Sequence, residues 1–255
     1  MSAWNPEQYQ RFQREREQPF HDLLALVEHR PRMRVADLGC GTGELTRELH
    51  RHLKANETVG IDNSETMLLK SSAFGDEMLR FERGDIEAFI SDRPFDLVFS
   101  NAALHWVEDH GALFHRLTSL LSKDGQVAIQ MPANEDNPSH TTAAAVAAEE
   151  PFASALAGHV RKSPILPLEQ YAQLLHHLGY KRQHVRMQIY GHPLPSSRDV
   201  VEWVKGSLLT DYQKRMDAGA FAAFLARYTE RLLAAIGDVH PYFYTYKRVL
   251  IWGSF

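Results

Sequence analysis

"VADLGCGTGELT" (residues 35–46) is the stretch on which the fold of this chain turns. Gly39, Gly41 and Gly43 alternate directly after an apolar run and directly before a helix-like segment. Without a Cβ, glycine lets backbone amides approach a ligand, and a following helix adds free N–H groups and a positive dipole end. Phosphate is the first ligand to test. A Walker loop needs a lysine that this stretch lacks, and the dinucleotide fingerprint needs a glycine where the chain has Glu44. The observed spacing is Gly-x-Gly-x-Gly, with Asp37 before it and Glu44 inside the first helical turn. Two acids flanking the loop suit a ligand that is neutral or cationic there, such as one carrying an ammonium. They disfavour an NAD-dependent dehydrogenase.

Outward from the loop, apolar runs alternate with helical patterns. Strands are predicted over "MRVADL" (33–38), "TVGI" (58–61), "MLRFERG" (78–84), "FDLVFSN" (95–101) and "QVAIQM" (126–131). Helical periodicity fills the gaps, and Lys123-Asp124-Gly125 reads as a turn. This βαβ succession predicts a parallel sheet covered by helices on both faces, its strands apolar throughout because both faces are buried. Residues 7–29 read as helical, and Pro19 is expected to break them into two helices. After Met131 the pattern turns rich in Ala and Pro, as expected of helices lying outside the sheet. A helix over 168–179, a strand over 184–190, helices over 197–211 and 217–236, and a last strand over 242–253 complete the chain. That separated last strand suits an antiparallel insertion.

Two more acids stand where a nucleoside would need them. Asp62 ends the second strand, a position from which an acid accepts hydrogen bonds from ribose hydroxyls in such folds. Asp85, in "GDIEAF" (84–89), follows the third strand and could accept from an exocyclic amine. The four segments "VADLGCGTGELT", "VGIDNSETML", "GDIEAF" and "FDLVFSNAALHWV" in series resemble the class I S-adenosylmethionine-dependent methyltransferases. The resemblance implies an α/β Rossmann-like fold: a seven-stranded, mostly parallel sheet with an antiparallel last strand, helices on both faces and a helical cap. It implies that the Gly39–Gly43 loop, with Asp37, holds the methionine part of S-adenosylmethionine. Asp62 then binds the ribose, Asp85 and Ile86 flank the adenine with Asn63 and Met67 nearby, and Asn101 and Leu104 lie beside the sulfonium. On the same ground residues 1–255 form a single methyltransferase domain. Its parts are an N-terminal helical lid (1–30), a cofactor-binding core (31–131) and cap or substrate elements (132–180 and 195–238).

The flanks "AWNPEQYQRFQREREQP", "QMPANEDNPSH", "VEWVKGSLLTDY" and "YKRVLIWG" resemble a branch of that family that methylates a carboxylate of small di- or tricarboxylic acids, trans-aconitate among them. The closing "GDVHPYFYTYKR" departs from that branch's usual Phe-Pro-Arg core. A carboxylate acceptor is ionised at pH 7 and needs no general base; a hydroxyl or amine acceptor would need one, and His105 is the candidate. Tyr9, Arg16, Trp106, Trp203, Lys205 and Arg248 are candidate substrate contacts, against the plainer reading of solvated helix faces and core aromatics. A non-catalytic nucleoside-binding protein is the rival class.

Composition agrees with a small-molecule enzyme. The 255 residues are 44% hydrophobic and 24% charged, average for a globular protein, with a net charge of −4 and no run of five like charges. Nucleic-acid-binding surfaces are usually basic, so no such partner is expected. The single cysteine, Cys40, excludes an intramolecular disulfide framework, and the fourteen histidines show no metal-ligand spacing. The opening stretch lacks a signal peptide's apolar centre and no 18-residue apolar run occurs. A cytoplasmic monomer or homodimer with no membrane partner and no metal is therefore expected.

Overall fold

A computed structural model describes residues 13–255, with side chains from Glu17 onward. Its elements are α1 (Gln13–Leu24), β1 (Arg34–Leu38), α2 (Glu44–Leu53), β2 (Glu57–Asp62), α3 (Glu65–Ser71), β3 (Leu79–Arg83), β4 (Phe95–Asn101), α4 (His110–Ser119), β5 (Leu121–Pro132), α5 (Pro138–Ala147), α6 (Phe152–Ala155), α7 (Leu168–His177), β6 (Arg182–Leu194), α8 (Asp199–Lys205), α9 (Leu208–Arg215), α10 (Ala218–Ile236) and β7 (Tyr242–Ser254). The strands form one sheet in the order β3-β2-β1-β4-β5-β7-β6. β1 to β5 are parallel and β7 runs antiparallel to β5, as the sequence predicts. Among the described residues no helix is long and apolar enough to cross a membrane.

The chain divides into two compact units. The larger comprises residues 17–133, 164–188 and 248–255. Alternate residues of its strands feed opposite layers. Ala36, Val98, Val127 and Ile129 pack with Leu113, Phe114 and Leu117 of α4 and Tyr171 and Leu175 of α7. Val35, Leu97, Phe99 and Ala128 pack with Phe20 and Leu23 of α1 and Leu49 and Leu53 of α2. This two-sided burial is why the strands are continuous apolar runs. At about 25 cal/mol per Å2, each such fully buried large side chain stabilises by about 2 kcal/mol.

Three expectations are corrected. Pro19 does not split the first helix, which runs unbroken from Gln13 to Leu24. The ring removes one backbone bond, but Phe20 and Leu23 just beyond it are fully buried, so packing holds the turn that the bond would have held. Residues 122–125 are an excursion within β5 rather than a turn before it: Phe95 pairs with Leu121 and Leu97 with Gln126. The helix expected over 197–211 is interrupted at Gly206 and Ser207, giving α8 and α9.

Two buried glutamines interrupt the apolar run of β5. At its first end, Gln126 Oε1 accepts from the Glu28 N–H (2.8 Å) and from Trp252 Nε1 (2.9 Å), while its Nε2 donates to the Glu28 carbonyl (2.8 Å). Gln130 belongs to the site below. At the same first end of the sheet, Glu57 is paired with Arg34 Nε (2.7 Å), Arg93 Nη2 (2.6 Å) and Arg80. Burial opposes that charge, but the hydrogen bonds and charges of Arg34 and Arg80 prevail and hold its carboxyl at about 2.

Of the described residues, the smaller unit comprises 13–16, 134–163 and 189–247. Its described core is largely helical, with Phe152, Trp203, Tyr212, Phe224 and Tyr228 packed against Leu194 and Tyr244. Asn137 caps α5, ahead of Pro138 at the first helical position, and Asp217 caps α10. β6 and β7 contribute residues to both units.

Candidate functional site

The glycine loop turns sharply out of β1. Gly39 has φ 80°, and a Cβ there would stand 2.1 Å from the Ala103 Cβ, so only glycine lets β1 and the segment after β4 come together. Gly41 is different: its φ is 56°, yet no atom lies within 4 Å of where a Cβ would be. The loop is therefore open on the Gly41 side, and a ligand can approach the backbone there. Gly43 caps α2.

Asp62 is held as an acceptor. Its Oδ2 takes the Gly41 N–H (2.9 Å) and its Oδ1 takes the Ser64 N–H (2.8 Å). A carboxylate offers about four lone-pair sites, so two backbone bonds leave capacity for a pair of vicinal hydroxyls. Asn63 is exposed and Met67 half-buried on α3, whose cap is Ser64. Asp37 is buried at the end of β1 and accepts from Thr46 Oγ1 at 2.6 Å. Burial pushes its carboxyl up to about 7; the Thr46 hydrogen bond works the other way and the Asp62 charge adds to the rise. Glu44 is exposed, so Asp37, and not Glu44, carries the acidity inside the loop. Cys40 is buried and its thiol is pushed far above its ordinary range by burial and by the charges of Asp37 and Asp62, which suits packing and not chemistry.

Asp85 is exposed and its Oδ1 accepts the Glu87 N–H (2.9 Å), turning the chain after β3; Ile86 is half-buried and packs on the core beside Gly39. After β4 the backbone is strained: Ala102 has φ 57°, in the left-handed region that alanine rarely adopts. Its N–H donates to the Gln130 carbonyl (2.8 Å). A single 3-10 turn, Leu104–Trp106, follows. Leu104 is fully buried in the core, so its backbone and not its side chain borders this loop. His105 is half-buried with its ring 4.8 Å from that of Trp106, which is 56% exposed.

Asn101 Oδ1 accepts from Gln130 Nε2 (2.8 Å), and Gln130 Oε1 accepts from Arg248 Nη1 (3.1 Å). Gln130 is fully buried and Arg248 nearly so. A cation thus stands near the carboxyl ends of β4 and β5, where open α/β sheets bind ligands. Trp203 belongs to the core of the smaller unit, its ring 4.5 Å from His192, and Lys205 is ion-paired with Glu202 on α8. Tyr9 lies outside the described residues, and of Arg16 only the helical backbone is described.

Sequence reading missed the groups that hold these residues in place. His110 Nε2 donates to the Leu104 carbonyl (3.1 Å), which pins the 3-10 turn, and its Nδ1 then accepts from Tyr171. The same Tyr171 hydroxyl accepts the Leu166 N–H (3.1 Å). Burial lowers the pKa of His110, in keeping with a neutral ring that donates at one nitrogen and accepts at the other. Ser100 Oγ donates to the Leu38 carbonyl (2.7 Å), tying β4 to β1 beside the loop. Apart from this site, an open cleft of about 410 Å3 lies along α4 between Glu87 and Arg116.

A glycine-turned loop open to a ligand, an acceptor fixed at the end of β2 and a buried acid at the end of β1 are the parts that a nucleoside joined to an amino acid requires. Residues 29–181 match the family model described as a methyltransferase domain. The chain belongs to this family of S-adenosylmethionine-dependent methyltransferases. It is 40% identical to the trans-aconitate 2-methyltransferase of Deinococcus radiodurans, over 97% of this chain and 96% of that one. It is also 40% identical to the enzyme of the same name from Variovorax paradoxus, over 91% of this chain and 90% of that one. Among solved structures, its fold is similar to the YcgJ protein of Bacillus subtilis (TM-score 0.60, 18% identity, 93% of this chain and 98% of that one). It is likewise similar to an S-adenosylmethionine-dependent methyltransferase from Mesorhizobium loti (TM-score 0.54, 22% identity, 94% and 98%).

Proposed function

We propose that this methyltransferase transfers a methyl group to a carboxylate of a small di- or tricarboxylic acid, trans-aconitate first among them. The observation that carries the reading is Arg248: a nearly buried guanidinium bonded through Gln130 to Asn101 at the end of β4. The guanidinium offers five N–H donors, of which Gln130 takes one, and Arg matches a carboxylate in geometry as well as charge. The trans-aconitate 2-methyltransferase names of its relatives agree with it.

S-adenosylmethionine, when bound, supplies a methyl group on a sulfonium, already activated for displacement. In this reading Asp37 receives the ammonium of its methionine part, the Gly39–Gly43 backbone lies against that part, and Asp62 accepts from the ribose. Asp85 and Ile86 flank the adenine with Asn63 and Met67 nearby, and Asn101 lies near the sulfonium. What the protein then contributes to rate is position. Arg248 orients the acid, and fixed geometry of this kind can supply several kcal/mol of the barrier. The acid is ionised at pH 7, so no residue has to remove a proton. His105 and Trp106 serve as walls of the acceptor site in this scheme, with Tyr9, Arg16, Trp203 and Lys205 as further candidate substrate contacts. The lone, buried Cys40 suits a reducing cytoplasm, and gel filtration separates monomer from homodimer.

Incubation with labelled S-adenosylmethionine and a panel of di- and tricarboxylic acids tests the proposal. Label should move to trans-aconitate in preference to hydroxyl- or amine-bearing metabolites. Tight donor binding with no transfer to any acid would instead favour a non-catalytic nucleoside-binding protein. His105→Ala should lower kcat only a few-fold; a loss of 100-fold or more would mean a proton is being removed and the acceptor is not a carboxylate.

A further inference from the structure

The amide of Gln130 stands at the centre of a chain of hydrogen bonds whose direction has only one solution. Arginine has five N–H donors and no acceptor, so the group facing Arg248 Nη1 must be the Gln130 oxygen. The Gln130 nitrogen then faces Asn101, which must answer with its own oxygen. Asn101 thus meets Gln130 through its oxygen and not through its NH2, a double donor. The strand pairing fixes the three side chains as firmly as the bonds do. Asn101 pairs with Gln130 across β4 and β5, and Gln130 pairs with Leu250 across β5 and β7, which makes Arg248 its diagonal neighbour on the same face. Gln130 is fully buried and reaches both partners without leaving the sheet.

We propose that Gln130 is a positioning and specificity-determining residue: its amide aligns Arg248 and Asn101 so that both present hydrogen-bond donors to the methyl acceptor. A site built from a guanidinium and an amide NH2 accepts a carboxylate and rejects an ammonium or another amide NH2, which would meet donor against donor. The inference rests on the carboxylate reading above and deepens it. It explains why that strand carries an amide at a buried position where leucine would pack at less desolvation cost. It also explains why a carboxylate would not serve. A glutamate at 130 would neutralise Arg248 and, having only acceptors, would turn Asn101 round to offer its NH2 inward.

The test is Gln130→Glu, assayed for trans-aconitate methylation and, by calorimetry, for S-adenosylhomocysteine binding. The expected result is a KM for the acid raised 10-fold or more with kcat lowered less, and a Kd for S-adenosylhomocysteine within about 3-fold of the parent. A KM within 3-fold of the parent, or a loss confined to S-adenosylhomocysteine affinity, overturns the proposal. Because a buried glutamate could unfold the chain, a second measurement uses Gln130→Met alone and combined with Arg248→Met. If Gln130 acts through Arg248, Gln130→Met raises KM about 10-fold in the parent but no more than 2-fold in the Arg248→Met background; equal effects in both would overturn the inference. A parent protein that methylates no acid at all fails the carboxylate reading and this inference together. Active parent protein with unchanged variants fails the inference alone.

Discussion

Replacing Asp37 by Asn should make the ligand-free protein more stable and less able to bind its methyl donor. The Asp37 carboxyl is buried, and burial lifts it from an ordinary 3.8 to about 7. A group that is protonated in the folded chain but ionised in the unfolded one stabilises the fold at low pH. That contribution is complete below about pH 3.8, falls as pH rises by about 1.4 kcal/mol per unit, and is gone above about 7. Over roughly three units the total comes to about 4 kcal/mol, an upper figure because the buried site can relax. Asn at this position retains the oxygen to which Thr46 Oγ1 donates and never ionises. Urea unfolding of the ligand-free protein between pH 4.5 and 8 measures the effect. The difference curve between parent and variant matters, because every ionisable group other than residue 37 is common to both and cancels. The variant should gain on the parent steadily up to pH 7 and then level off. In calorimetry, parent affinity for S-adenosylhomocysteine should strengthen by up to about tenfold per unit as pH rises to 7, with release of a proton. The variant should bind about 30- to 100-fold more weakly, the 2–3 kcal/mol of a charge-assisted hydrogen bond. A flat difference curve, or unchanged affinity in the variant, refutes the reasoning.

The two loop glycines separate fold from binding. Gly39→Ala should cost more than about 3 kcal/mol of stability, because its Cβ meets Ala103 and φ is 80°. Gly41→Ala should cost about 1–2 kcal/mol for its φ of 56°, yet weaken S-adenosylhomocysteine at least 10-fold by filling the open side of the loop. Tyr171→Phe should lose about 2–3 kcal/mol in urea unfolding, since it strips partners from the Leu166 N–H and from His110 Nδ1. Glu57→Gln should lose about 1–3 kcal/mol at pH 7 with kcat unchanged. Because the parent carboxyl sits near 2 in the folded chain, the difference should shrink as pH falls from about 4.5 to 2.

The strands and the glycine loop were legible because they rest on local pattern. A strand buried on both faces has to be apolar throughout, and a backbone passing within contact of Ala103 has to be glycine at 39. The place of Asp62 at the end of β2 was legible for a similar reason, since it follows from the strand pattern alone. What could not be read were partnerships across long separations. His110 meets Tyr171 across 61 positions, and Arg248 meets Gln130 across 118. One clue was present in "QVAIQM": two glutamines in a run otherwise fit for the core, each requiring a buried partner. Pro19 misled because its local cost was weighed without Phe20 and Leu23, whose burial outweighs it. Trp203 gave no periodic sign distinguishing a core aromatic from the wall of a ligand site.

The two glutamines of β5 have a further consequence. They lie four positions apart on one face of the strand, roughly 13 Å from end to end. One ties the sheet to the segment after α1, and the other aligns Asn101 with Arg248. Both joints are amides, and an amide does not ionise at any pH a cell meets. The two joints carry no group that titrates, while Asp37 beside the site changes charge near neutrality. With Asp37 receiving the donor's ammonium as proposed, acidity would act as a dial on occupancy, altering how much donor is held while the two amide joints stay as they are.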